Sequence, residues 1–179
     1  SSAVIIGSTT TNTPPTVDSV DITPSNPATQ NNLTATVTSS DADMDSIVST
    51  EYRWIKNGFD AGIDSETLSF TSTTKGDSWS VNARVNDGTT WSTWESSAAT
   101  TIENTAPVLQ SASIFATQVT SQMNISVDAV MIDADSMDVL SFNIQWYLED
   151  VLQPQLNGIN PLPSSETMKG QTWAAVIHA

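Results

Sequence analysis

Two short runs carry the residue types that could do chemistry in this chain: Asp41-Ala42-Asp43-Met44-Asp45 and Asp133-Ala134-Asp135-Ser136-Met137-Asp138. Carboxylates gathered in one loop supply hard oxygen ligands, which a divalent cation such as Ca²⁺ takes six to eight at a time. Other chemistries lack material. A single histidine, His178, leaves no Ser-His-Asp triad and no histidine-based metal site. The seven glycines are scattered and form no phosphate-cradling loop, and the absence of cysteine removes thiolate sites and disulfides. Paired carboxylates cleave glycosides only from a shaped cleft that raises one pKa, which exposed turns do not supply. The chain is therefore expected to be non-enzymatic, with no catalytic residues.

The elements that position these loops follow from an internal repeat. Asn12-Thr13-Pro14-Pro15-Thr16-Val17 returns 92 residues later as Asn104-Thr105-Ala106-Pro107-Val108-Leu109. The acidic runs, Asn32 and Asn124, and Trp54 and Trp146 keep the same 92-residue offset. Lys75-Gly76-Asp77-Ser78-Trp79 returns as Lys169-Gly170-Gln171-Thr172-Trp173 at an offset of 94, so the intervening loop has gained two residues. Ser1-Ser2-Ala3-Val4-Ile5-Ile6 is similar to Ser96-Ser97-Ala98-Ala99-Thr100-Thr101, the segment that ends a repeat. The expected boundaries are 1–11, the last strand of a preceding repeat with its linker; 12–103, a complete repeat; and 104–179, a second repeat lacking its final strand.

Within the complete repeat, period-2 alternation marks strands. Leu33, Ala35 and Val37 share a face, as do Tyr52 and Trp54, Leu68 and Phe70, Trp79 to Val85, and Ala98, Thr100 and Ile102. Asn57-Gly58, Lys75-Gly76-Asp77 and Asn86-Asp87-Gly88 are turn signals between them. About seven short strands in such a length predict an all-β chain of tandem immunoglobulin-like β-sandwich repeats, the second truncated. Trp54, Trp79, Trp146 and Trp173 are expected in the cores. Trp91 and Trp94, three apart on an extended strand, are expected on opposite faces, leaving one exposed; a strand-end aromatic covering the core edge is the favoured role for it, and stacking on a sugar ring the alternative. Asn32-Leu33-Thr34 and Asn124-Ile125-Ser126 are glycosylation sequons at one repeat position.

The run from Asn-Thr-x-Pro through Asp-Ala-Asp, Tyr-x-Trp-x-x-Asn-Gly and Lys-Gly-Asp-x-Trp to Asn-Asp-Gly resembles prokaryotic tandem immunoglobulin-like repeats. These are grouped with the cadherin-like and PKD-like modules of large secreted or cell-surface proteins. The resemblance spans nearly the whole chain and implies a stalk or adhesive arm, or an accessory module of a secreted enzyme. The sequence departs from that family's Asp-Ala-Asp-Gly-Asp loop by placing Met44 where the glycine stands.

In such a sandwich the loops after the second and sixth strands share the pole that faces the preceding linker. Asp41, Asp43 and Asp45 are thus expected near Asn12, Asn86 and Asp87, and Asp133, Asp135 and Asp138 near Glu103 and Asn104. These eight acids, Asp41, Asp43, Asp45, Asp87, Glu103, Asp133, Asp135 and Asp138, are the expected ligands of Ca²⁺ at inter-repeat joints. A plain Asx-stabilised turn is the alternative for each loop. Neither loop is an EF-hand, because Tyr52 stands where the twelfth-position acid belongs.

Charge bounds the partners. Twenty acidic residues against five basic ones give −15, divided as −9 over 12–103 and −6 over 104–179. Nucleic acid and anionic membrane surfaces are disfavoured. No apolar run approaches the ~20 residues that span a bilayer, and Ser1–Ile6 lacks the charged start of a signal peptide. The expectation is a non-catalytic structural or adhesive spacer at the cell surface or in secretion, partnered by neighbouring repeats and by a cell-surface protein or glycan. An accessory carbohydrate- or protein-binding module of a secreted enzyme is the alternative.

Overall fold

The computed structural model describes residues 11–115 and 119–179 of the chain. The strand expected within residues 1–11 lies almost wholly outside the described residues. Among the described residues there is no α-helix, and every sheet is antiparallel: the chain is all-β. Among the described residues no helix is long and apolar enough to cross a membrane. It forms two compact units that divide between Asn104 and Thr105.

The first unit contains β1 (Thr16–Thr23), β2 (Leu33–Ser40), β3 (Ser49–Lys56), β4 (Phe59–Asp60), β5 (Thr67–Leu68), β6 (Ser78–Asn86), β7 (Glu95–Ser96) and β8 (Thr100–Thr101). One sheet runs β1-β2-β5, and the other runs β4-β3-β6-β7 with β8 also paired to β6. Strand β6 shows why the pattern folds this way. Trp79, Val81, Ala83 and Val85 alternate with polar residues and are all but fully buried. Trp79, Val81 and Ala83 meet Val20, Leu33, Ala35 and Leu68 of the facing sheet in one core. Trp54 and Trp79 pack edge to face at 6.3 Å, and the Trp54 indole donates to the Ser65 carbonyl at 2.8 Å. Each such side chain contributes about 1.5–3 kcal/mol by leaving water.

Local chemistry sets the turns. Asn57 and Gly58 both have positive φ, giving the two-residue hairpin that joins Lys56 to its partner Phe59. The sequence expectation fails at Phe70, which opens a 3-10 turn over Phe70–Ser72 and stays 43% exposed rather than sharing the inward face of Leu68. The reason is a cap: the Ser69 hydroxyl and the Asn32 side-chain carbonyl take the Thr71 and Phe70 N–H groups, ending β5 at Leu68.

The second unit contains β9 (Val108–Phe115), β10 (Ser126–Ile132), β11 (Asn143–Leu148), β12 (Val151–Leu152) and β13 (Trp173–His178). β9 pairs with β10, and β11 lies between β12 and β13. The pairing keeps the register of the first unit, every partner moved by 92: Ile22 faces Ala35, and Ile114 faces Val127. Both ladders skip the equivalent residue, Asp18 in β1 and Gln110 in β9, at a bulge. The core holds Ile125, Val127, Ile144, Trp146, Leu156 and Leu162, and Trp146 meets Trp173 edge to face at 6.5 Å.

Candidate cation sites

The two acidic runs form matching cages at the ends of β2 and β10. In the first, Asp41 Oδ1 accepts from the Asp43 N–H at 2.7 Å and the Asp45 N–H at 3.3 Å. Asp43 Oδ2 accepts from the Thr13 N–H at 2.6 Å, tying the loop to the entering chain. In the second, Asp133 Oδ1 accepts from the Asp135 N–H and Asp135 Oδ2 from the Thr105 N–H, both at 2.7 Å. Short side-chain loops of this kind are why aspartate is favoured at turns.

Those bonds consume one oxygen of each leading aspartate. The other, Asp41 Oδ2 and Asp133 Oδ2, is buried and meets no hydrogen-bond donor among the described residues. A buried carboxylate oxygen without a partner is costly, and the same atom is left so in both units. In each triad one oxygen per residue falls within 4.8 Å of the others: Asp41, Asp43 and Asp45, and again Asp133, Asp135 and Asp138. At such spacing two unit charges repel by about 1 kcal/mol even in bulk water. Each triad could therefore hold a metal ion. Asp135 is 6% exposed, which makes the second cage the more enclosed.

Met44 takes the turn that a glycine would ordinarily take. Its φ is +65°, in the left-handed region, and its side chain is 93% exposed. The turn is closed by the Met44 N–H donating to the Asp41 carbonyl at 3.3 Å. A residue without glycine's freedom thus makes the turn at the expense of backbone strain.

The other two acids expected as ligands, Asp87 and Glu103, lie outside the two triads. Asp87 accepts from the Thr89 and Thr90 N–H groups at 2.6 and 2.7 Å, from the Thr90 hydroxyl at 3.2 Å and from Asn12 Nδ2 at 3.0 Å. These bonds, that from the Thr90 N–H foremost, hold its carboxyl down at about 2. Asn12 and Thr13 thereby bind the Asp87 loop and the Asp43 loop in succession, bringing both to one end of the first unit. Glu103 closes the first unit: its N–H donates to the Pro27 carbonyl at 2.7 Å and its backbone bridges Ala28.

Trp91 and Trp94 do not point to opposite faces. Both are half-buried and both stack on the Arg84 guanidinium, at 4.6 and 4.7 Å from their ring centres, and Arg53 lies 4.9 Å over Trp94. The expectation assumed an unbroken strand. Instead the Ser92 N–H donates to the Val85 carbonyl while its hydroxyl accepts from the Val85 N–H, and Ser97 treats Val81 in the same way. Ser92 and Ser97 thus flank the two-residue strand β7, each closing the ladder with its backbone N–H and its hydroxyl together, and this broken strand puts both rings on one side. Glu51 Oε2 fixes Arg84 at 2.6 Å from Nη2.

Both sequon asparagines are exposed and engaged: Asn32 Oδ1 accepts from the Phe70 N–H and Asn124 Oδ1 from the Ser164 N–H, each at 2.9 Å. No protein-family model and no curated protein matches the chain.

Proposed function

We propose that this chain is a non-catalytic spacer of a secreted or cell-surface protein, made of tandem immunoglobulin-like β-sandwich repeats stiffened by Ca²⁺ and serving a structural or adhesive role. The observation that carries the reading is the recurrence of one device at one repeat position. An aspartate pair locks the entering chain through Thr13 or Thr105, and leaves a buried carboxylate oxygen of Asp41 or Asp133 without a donor. A hard divalent cation satisfies such an oxygen and offsets the repulsion within the triad. The lock sits where the linker enters, so a cation there would restrain the joint. The shared strand registers, shared bulge and matched Trp pairs support the repeat. Net negative charge on every repeat favours an extended array.

Calorimetric titration with Ca²⁺ tests this. Two binding events are expected, one lost in Asp41→Asn and the other in Asp133→Asn. No heat of binding, together with a melt unchanged by EDTA, would remove the calcium reading.

A further inference from the structure

The first unit leaves a short stretch of β3 open on the side away from β6. Trp54 turns its main chain outward there, its N–H donating to the Ile63 carbonyl at 3.0 Å and its carbonyl accepting from the Ala61 N–H at 2.9 Å. Alternation along an antiparallel strand turns the N–H and carbonyl of Tyr52 and Thr50 the same way. In the second unit the counterpart of Tyr52 is Ile144, whose carbonyl accepts from the Gly158 N–H at 2.8 Å. The first unit lacks this closure because its chain leaves β3 after Ile63. The Ser65 carbonyl accepts from the Trp54 indole, and the Glu66 carbonyl accepts from the Ala35 N–H of the facing sheet at 3.0 Å. Among the described residues, no hydrogen bond reaches the outward main-chain groups of Tyr52 and Thr50.

A cavity of about 380 Å³ lies against this open edge. Tyr52 and Thr50 line it together with Glu51, Arg53 and Arg84 of the outer sheet face, Asp64 of the departing chain, and Trp94. Both arginines of the chain are here, in a unit that carries −9 overall. They hold the Trp94 ring at 4.9 and 4.7 Å. Two guanidiniums and two carboxylates share the lining, so the cavity itself is close to neutral. The repeat does not require this set: Asn143, Gln145 and His178 stand at the positions of Glu51, Arg53 and Arg84 in the second unit. Asp64 is exposed and makes no hydrogen bond or ion pair among the described residues.

We infer that this cavity is a binding site for a neutral saccharide. A pyranose presents hydroxyls that both donate and accept, with C–H faces between them. The main-chain N–H groups and the guanidiniums donate, the main-chain carbonyls, Glu51 and Asp64 accept, and Trp94 supplies the apolar wall. An acidic sugar is disfavoured by the charge of the unit, and the arginines are already engaged, Arg84 with Glu51 at 2.6 Å and Arg53 with Asp60 at 3.4 Å. An added peptide strand is disfavoured because the next outward residue, Trp54, is already paired, leaving too short an edge for a ladder. The inference goes beyond the spacer reading and does not depend on cation binding.

The test is a glycan array probed with the full chain in EDTA, followed by fluorescence titration with the neutral oligosaccharide that gives the strongest signal. Saturable binding of neutral pyranose oligosaccharides is expected, above the response to sialylated, uronate-containing or sulfated ones. Asp64→Asn, at an exposed position, is expected to weaken binding about tenfold with the melt unchanged, as loss of one hydrogen bond to a charged group would. Trp94→Ala is expected to weaken it at least as much. Inhibition by the free oligosaccharide supports the site as one for a soluble sugar, and retention only on the dense array supports it as one for a surface glycan. Failure to bind any neutral glycan overturns the inference. So does binding that Asp64→Asn and Trp94→Ala both leave unchanged, or a stronger response to acidic glycans or to an extended peptide on the same array.

Discussion

The two units share a strand register, a bulge and a tryptophan pair, yet they differ in how completely they close. In the first, Leu33, Trp54, Leu68, Trp79 and Ile102 are all nearly inaccessible. In the second, Trp146 and Leu162 are as deeply buried, but Ile114 is 46% exposed where Ile22 is packed against the core. In the first unit the segment Thr100–Glu103 covers the edge of β6 and brings Ile102 inward. What it supplies is closure.

Breaking that closure should make the first unit resemble the second. Ile102→Ala is expected to cost the first unit about 2–5 kcal/mol, the range for truncating a buried isoleucine. Urea unfolding of that unit, followed through Trp54 and Trp79, measures it. A loss below about 1 kcal/mol would show that sealing the edge matters little. The converse is read by hydrogen exchange. Amides of β13 are expected to be less protected than those of β6, because an edge strand opens without breaking a second ladder. Equal protection would contradict the comparison.

The next effect concerns the cages. If Ca²⁺ binds, a concentration about 100-fold above its Kd adds about 2.7 kcal/mol to the unit that holds it. The second cage is more enclosed, so EDTA is expected to lower the melting temperature of the second unit more than that of the first. Asp133→Asn should abolish the larger shift and Asp41→Asn the smaller. Equal shifts would mean that the burial of Asp135 does not set affinity.

Much of this was legible in the sequence, and the failures have physical causes. Alternation found β2, β3 and β6, because a half-buried strand must present one apolar face. The 92-residue spacing marked the two cages, because the same turn chemistry recurs with the same residues. Phe70 was misplaced because a side-chain cap from Asn32, 38 residues away in sequence, ends the strand early. The Trp91–Arg84–Trp94 stack was missed because Ser92 and Ser97 satisfy the ladder through their hydroxyls, a substitution that an apolar-polar pattern does not encode.

Backbone strain gives a smaller contrast. The hairpin after β3 uses Asn57-Gly58, while that after β11 uses Glu149-Asp150, with φ of +47° and +65° at residues without glycine's freedom. Met44 carries the same kind of strain in the first cage. A non-glycine residue in the left-handed region costs roughly 1–2 kcal/mol. Asp150→Gly and Met44→Gly are therefore each expected to stabilise their own unit by about 1 kcal/mol in urea unfolding. Met44 is almost fully exposed, so no packing is lost in the exchange. A neutral or destabilising result at Met44 would mean that unfolded-state entropy gained by glycine cancels the relief.

The smallest effect separates Asp87 from the cages beside it. Its carboxyl is held at about 2, below the ordinary 3.8, by hydrogen bonds from Thr90, Asn12 and Thr89 to the ionised form. A carboxyl depressed on folding stabilises the native state fully above its unfolded value, near pH 4. That contribution fades as pH falls through about 2, where the native form protonates as well. Unfolding of the first unit, followed by tryptophan fluorescence between pH 5 and pH 2, should therefore steepen toward the acid end. In Asp87→Asn that part of the pH dependence should vanish, while the response to Ca²⁺ persists, because Asp87 spends its oxygens on Asn12 and the Thr89–Thr90 turn. Loss of the Ca²⁺ response in this variant would instead place Asp87 in the cage with Asp41, Asp43 and Asp45.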